Sequence, residues 1–208
     1  MNGQEWSLPK DFFDKNKSES NLPTAGELSF FQMQILVESD LHDKITEYAS
    51  ASFDQSRINS MDEERTAVEA LSTPEELVRF MKKKIEISNR DYLCRKAIQM
   101  GDDTAALIVE KLQTNGLDRF IECAMLILSR ADDKYIDQVA EGFRQFRNGY
   151  ARTQAAVLLA YRDRTDALKS IYDEYMQMVR SNDPDDRRNA DSIRFAIHVL
   201  AEKDRKGT

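Results

Sequence analysis

Apolar residues in this chain recur at the three-and-four spacing of a helix face, and between Leu93 and Tyr175 the same two faces are written three times. Leu93, Cys94 and Ala97 are followed 31 positions later by Ala124, Met125 and Leu128, and 31 after that by Ala155, Ala156 and Leu159. A second set keeps step. Ala105, Ile108, Val109 and Leu112 recur as Ile136, Val139, Ala140 and Phe143, then as Leu168, Ile171, Tyr172 and Tyr175. The unit predicted is therefore a pair of amphipathic helices that buries its apolar stripes only by stacking on its neighbours.

The flanks carry the same signal in weaker form. Residues 27–51 read as an atypical helical pair, with Leu28, Phe31 and Ile35 as the core face of one helix and Leu41, Ile45 and Tyr48 as that of the next. A helix from about Ser60 to Leu71 follows, with Ala67, Val68 and Leu71 on one face. Its partner opens at Thr73-Pro74-Glu75-Glu76, where Thr73 caps, Pro74 fits the first turn and Glu76 reaches back as a capping box. Leu77, Phe80, Met81 and Ile85 then face inward, and Lys82 to Lys84 form a solvated face.

Turns fall at Gly101-Asp102-Asp103, Ala131-Asp132-Asp133 and Asp163-Arg164-Thr165-Asp166. Aspartate suits these places because it accepts hydrogen bonds from free N–H groups at the next helix start and favours the positive end of the dipole. An insertion, Arg180 to Asp186, delays the last helix, so that Ala196, Ile197 and Leu200 match Ala155, Ala156 and Leu159 at an offset of 41. That helix, about 185–203, reads as a terminal cap with Arg194, Glu202 and Lys203 in water. The organisation expected is a flexible tail at 1–25 and a helical-repeat domain at 26–208, with repeats over about 60–180. In the tail, Trp6, Phe12 and Phe13 stand out. They either fold back on the stack, dock a partner, or do nothing specific.

Composition supports an all-α reading. Seven glycines and four prolines in 208 residues leave little room for β-turns, and charged residues make up 32%. The formal net charge of −7 lies in the front half: residues 1–115 hold 14 Lys+Arg against 21 Asp+Glu, and residues 116–208 hold 16 against 16. Twelve of the back-half cations are Arg, whose planar fork suits either a contact surface or ion pairs between repeats. The polar start Met1–Lys10, the lack of any long apolar run and two Cys on apolar stripes predict a cytoplasmic protein with reduced, buried thiols, without leader or membrane span.

Candidate chemistry is sparse. His42 and His198 are the only histidines; there is no CxxC, no histidine pair at metal spacing and no glycine-rich phosphate loop. Neither Cys94 nor Cys123 is placed to work with a histidine as a nucleophile. The reading is a protein without cofactor, metal or catalytic constellation.

The run Ala155-Ala156-Val157-Leu158-Leu159-Ala160, then Arg162-Asp163 and Ala167-Leu168, resembles the HEAT-repeat superfamily, especially its short, phycobilisome-lyase-type form. Gly101-Asp102 and Cys123-Ala124 to Leu128 match more loosely, and the resemblance spans about 60–203. It implies a right-handed α-α superhelix whose second helices line a concave, protein-binding surface. Carried over here, that surface comprises Lys134, Asp137, Gln138, Glu141 and Gln145 from one repeat and Lys169, Asp173, Glu174 and Gln177 from the next. Arg144, Arg147 and Arg152 join it as candidate contacts. The function expected is a non-catalytic adaptor or regulatory subunit holding another protein or peptide, in an oligomeric state the sequence leaves open. The alternative is a nucleic-acid-binding or DNA-repair HEAT-like protein gripping a duplex with Arg144, Arg147, Arg152, Arg162 and Arg164, a reading the net charge disfavours. A cofactor lyase or chaperone, by analogy with the phycobilisome branch, is a third.

Overall fold

A computed structural model describes residues 6–15, 22–38, 47, 48, 51 and 53–207. Among them are eleven α-helices and no strand: α1 Phe12–Lys15, α2 Ala25–Glu38, α3 Gln55–Glu69, α4 Pro74–Phe80, α5 Ile87–Met100, α6 Asp102–Leu112, α7 Asp118–Leu128, α8 Asp133–Gly142, α9 Gly149–Tyr161, α10 Leu168–Arg180 and α11 Pro184–Gly207. Two 3₁₀ turns accompany them: Phe143–Gln145 extends α8 and Thr165–Ala167 leads into α10. The fold is all-α.

Consecutive pairs pack on one another. The first helices α3, α5, α7 and α9 follow in series with α11 against α9; the second helices α4, α6 and α8 do likewise, and α10 packs on α11. The repeated positions explain this order. Of the nine first-helix residues from Leu93 to Leu159, none is more than 1% exposed, and Ala196, Ile197 and Leu200 are fully buried in the same role. The small residues Ala155 and Ala156 matter because α9 has α2, α7, α8 and α11 around it, so Thr153 to Ala160 are buried without a break. The start of α4 is as expected: Thr73 Oγ1 accepts from Glu76 N–H, and the Glu76 carboxylate accepts from the Thr73 N–H in return.

At the turns, the aspartates do more than cap. Asp132 does cap α8, accepting from Lys134 N–H at 3.0 Å. Asp102 and Asp133 instead occupy first helical positions and reach the following unit, pairing with Lys134 and with Arg162 respectively. Arg162 also donates to the carbonyls of Ser129 and Ala131 (3.3 and 2.8 Å), so the free end of α7 is closed by a side chain from the next pair. Asp163, at a left-handed φ of 59° that aspartate tolerates better than most residues, meets Lys203 of α11.

The flanks depart from expectation. The helix of the predicted 27–51 pair forms as α2, but it does not begin the stack; it crosses α7, α9 and α11 at the other end. Gly26 is the reason. Its N–H donates to Ser192 Oγ at 3.0 Å, and a Cβ there would lie 2.7 Å from Ser192 Cβ, so only glycine lets α2 sit this close to α11. Met33 is fully buried and Phe30 packs edge-on to Tyr161 and Phe195, while Leu28, Phe31 and Ile35, the predicted core face, are exposed. The partner helix predicted at 41–51 lies largely outside the described residues.

The tail expected at 1–25 is, over residues 6–15, a packed segment. Phe12 is 3% exposed between Tyr172 and Tyr175, Trp6 leans on Tyr172 at 5.6 Å, and Phe13 meets the His198 ring at 5.0 Å. Aromatic area supplies the drive. The cap helix α11 is therefore itself covered, and of its expected solvent residues only Glu202 is exposed; Arg194 and Lys203 are half-buried.

Candidate interaction surface

The second-helix strip contains two kinds of residue. On α8, Lys134, Asp137, Gln138 and Glu141 share one exposed face. Lys134 is held by Asp102, which raises its pKa, and Asp137 by Arg164 at 2.6 Å. Arg164 also grips Asp166 through two bonds and keeps that carboxyl below its ordinary range. On α10, Lys169 pairs with Asp173 at 2.9 Å.

Two predicted contact residues belong to the interior. Glu174 is 1% exposed and accepts from Arg152 Nε at 2.7 Å, with Arg144 Nε at 3.5 Å. Arg152 donates further to the Phe146 carbonyl at 3.0 Å and lies 3.8 Å from Asp186. This node ties together the loop after α8, α9, α10 and the start of α11. The apolar spacing of α10 hides it, since Glu174 follows Ile171 by three places and so falls on the inner face. A carboxylate there survives burial because an Arg fork meets it.

What remains exposed, with no side-chain hydrogen bond or ion pair among the described residues, is Gln138, Glu141, Arg147 and Gln177. Gln145 is exposed as well. Sequence reasoning missed the neighbours of Gln177. Asp173, Met176, Gln177, Arg180, Ser181 and Asp186 line a groove of about 500 Å³ between α10 and the start of α11. Met176 gives it a half-buried apolar wall, Arg180 an exposed cation without an ion pair among the described residues, and Asp186 a link to the buried node below. The signal was available: the extra residues at 180–186 break the repeat length, and insertions in such arrays gather on one face. A larger space of about 840 Å³, bounded by Trp6, Leu8, Phe13, Leu168, Lys169 and Arg205 among others, is the seam where the N-terminal segment meets the last unit.

Four of the five arginines proposed for a nucleic-acid grip are engaged with carboxylates: Arg144 and Arg152 with Glu174, Arg162 with Asp133, Arg164 with Asp137 and Asp166. Arg147 stands apart.

For chemistry, the described residues contain no cluster of three or more His, Cys, Asp or Glu that could hold a metal ion. Cys94 and Cys123 are buried free thiols, and Cys94 is pushed well above its ordinary pKa by its hydrogen bond with Cys123 and by burial. Such a thiol is a poor nucleophile. His198 is half-exposed, 3.4 Å from Glu202, and His42 lies outside the described residues. No helix among the described residues is long and apolar enough to cross a membrane. No protein-family model, curated protein or solved structure matches this chain.

Proposed function

We propose that this chain is a non-catalytic protein–protein interaction module, an adaptor or regulatory subunit built on HEAT-like helical pairs, which holds a peptide segment of another protein along α10. The observation that carries this reading is the groove beside α10: exposed Gln177 and Arg180 lie beside an apolar wall at Met176, with Asp173 on the same helix and Asp186 at the start of α11. An extended or helical peptide with one apolar anchor and neighbouring acidic and amide groups fits that chemistry, with the anchor supplying affinity and the rim selectivity.

Several charges around the groove are already paired between units, Arg164 with Asp137 and Arg152 with Glu174, whereas Gln177 and Arg180 have no side-chain partner among the described residues. The test is site-specific photo-crosslinking from position 177 in native extract, followed by capture with an Arg180→Glu variant. A partner crosslinked at 177 and lost on charge reversal, with the melting temperature unchanged, supports the reading. Crosslinks that are absent from 177, or a partner retained by Arg180→Glu and Met176→Lys alike, would sink it. Charge reversal at Arg152 is unsuitable, because it strips a buried carboxylate of its partner and attacks the fold itself.

A further inference from the structure

The turns inside each helical pair lie at one edge of the stack, and the loops that join one pair to the next lie at the other. The two edges treat their cations differently. Among the turns the cations are taken up: Lys134 by Asp102, Arg162 by Asp133, Arg164 by Asp137 and Asp166, while Arg130 is tied to the Met33 carbonyl at 2.8 Å. At the joining edge seven exposed cations have no ion pair among the described residues: Lys82, Lys83 and Lys84 after α4, Arg119 at the start of α7, Arg147 after α8, Arg180 at the end of α10 and Arg187 at the start of α11. In a chain with 37 acids and 30 bases, indiscriminate pairing leaves carboxylates over, not cations.

The joining loops touch in succession, so these cations form a line. Arg147 N–H donates to the Gln113 carbonyl at 3.3 Å, the Asn148 side-chain amide to the Gly116 carbonyl at 3.4 Å, and Asp186 lies 3.8 Å from Arg152 of α9. Toward the other end, Arg90 in the first turn of α5 meets Glu122 of α7 at 2.9 Å. Most acids on this edge already hold a cation: Glu86 holds Arg57, Glu110 holds Lys111, Asp185 holds Arg188 and Asp186 holds Arg152. Asp183 accepts from the Asp185 N–H at 2.9 Å, and Asp118 and Glu141 are exposed.

We propose that this edge binds an acidic stretch of the peptide held in the α10 groove, leading it from Arg180 past Arg147 and Arg119 to Lys82, Lys83 and Lys84. The inference rests on the groove reading for the peptide and adds the chemistry of the segment beside its anchor. Charge complementarity selects an acidic occupant. What lies between the cations selects a polypeptide over a nucleic acid. Gln113, Gln145, Gln177 and Asn182 are exposed amides, able both to donate to and to accept from a peptide backbone. The rings at this edge, Phe80, Phe143 and Phe146, are buried and offer bases no stacking platform. Asp118 and Glu141 repel an unbroken phosphate chain, whereas a peptide can set a neutral residue against each. Neighbouring helices pack about 8–10 Å apart, so the three steps from α10 to α4 span about 24–30 Å, which about seven to nine extended residues at about 3.3 Å each cover.

Fluorescence anisotropy with the full chain tests this. The probe is a fluorescein-labelled peptide of one leucine followed by a run of glutamates long enough to cross the edge, compared with its glutamine counterpart and with single-stranded DNA of equal charge. The glutamate peptide is expected to bind more tightly than either, and less tightly as salt rises. Arg147→Glu should weaken it by at least ~5-fold with unchanged circular dichroism, and Lys206→Glu, the same charge change at the opposite edge, by less than about 2-fold. Lys82→Glu/Lys84→Glu is a second variant, expected to act in the direction of Arg147→Glu. Equal binding of the glutamine peptide, equal losses from Arg147→Glu and Lys206→Glu, or tighter binding of the DNA each overturns the proposal. Met176→Gln separates it from the groove reading. If Met176→Gln weakens the peptide and Arg147→Glu does not, the groove stands and the edge proposal falls; the reverse result supports the edge and removes the groove.

Discussion

Replacing Arg152 by Met should cost more stability than any change on the exposed strip around it. In the native protein the Glu174 carboxylate, 1% exposed, receives Arg152 Nε at 2.7 Å, and the same guanidinium serves the Phe146 carbonyl at 3.0 Å. Removing one partner of a buried pair costs about 3–5 kcal/mol, most of it the desolvated charge left behind. Arg144, at 3.5 Å but 43% exposed, offsets part of this, which places the loss near the lower bound, about 3 kcal/mol. For a chain of this size that lowers the melting temperature by about 6–12 °C. Glu174→Gln leaves Arg152 its Phe146 carbonyl and Asp186, and should cost only about 1–2 kcal/mol. The double variant Arg152→Met/Glu174→Leu removes both charges and should be more stable than Arg152→Met alone, giving a coupling of about 2 kcal/mol in a urea-denaturation cycle. If Arg152→Met unfolds within 1 kcal/mol of wild type, or the two changes simply add, the node does not hold the last units together as described.

Three further outcomes follow from the geometry. The raised pKa of Cys94 means the folded state keeps a proton that the unfolded state gives up, so stability is fully present below the unfolded thiol pKa and falls as pH climbs above about 8.5; thermal melts from neutral to alkaline pH should show a shallower decline for Cys94→Ala. Gly26→Val, which forces α2 off Ser192 and Val157, should cost about 1–3 kcal/mol and speed amide exchange along α2 before it does so in α5. Phe12→Ala should lower stability by about 2–4 kcal/mol and red-shift emission from Trp6, the chain's only tryptophan, as it leaves Tyr172. Unchanged emission would mean that the Trp6 environment does not depend on Phe12.

The buried helix faces were readable because the signal is redundant: Leu93, Ala124 and Ala155, spaced 31 apart, are all fully buried, and three copies of a weak pattern make a strong one. The capping box at Thr73 was readable because it is local, spanning four residues. α2 was not. Two apolar stripes on one helix give the sequence no means of choosing, and the choice was made by Gly26 against Ser192, 166 residues away. Glu174 was misplaced for a similar reason, since its burial depends on an arginine on another helix. The α10 groove was partly visible, in Asp173 and Gln177; its other wall came from an insertion whose path the sequence leaves open.

The route of α2 and α1 bears on how the chain assembles. An open repeat array can nucleate anywhere and grow by neighbours. Here Trp6, Gly26 and Phe30 find their seats on Tyr161, Tyr172, Ser192 and Phe195, more than 100 residues further along the chain. Those contacts have high sequence separation and close late. Until they do, α2 waits with Phe30 and Met33 in solvent, and α3 to α8 must hold their own shape meanwhile. The interval before these contacts close is thus when this fold is most exposed to aggregation.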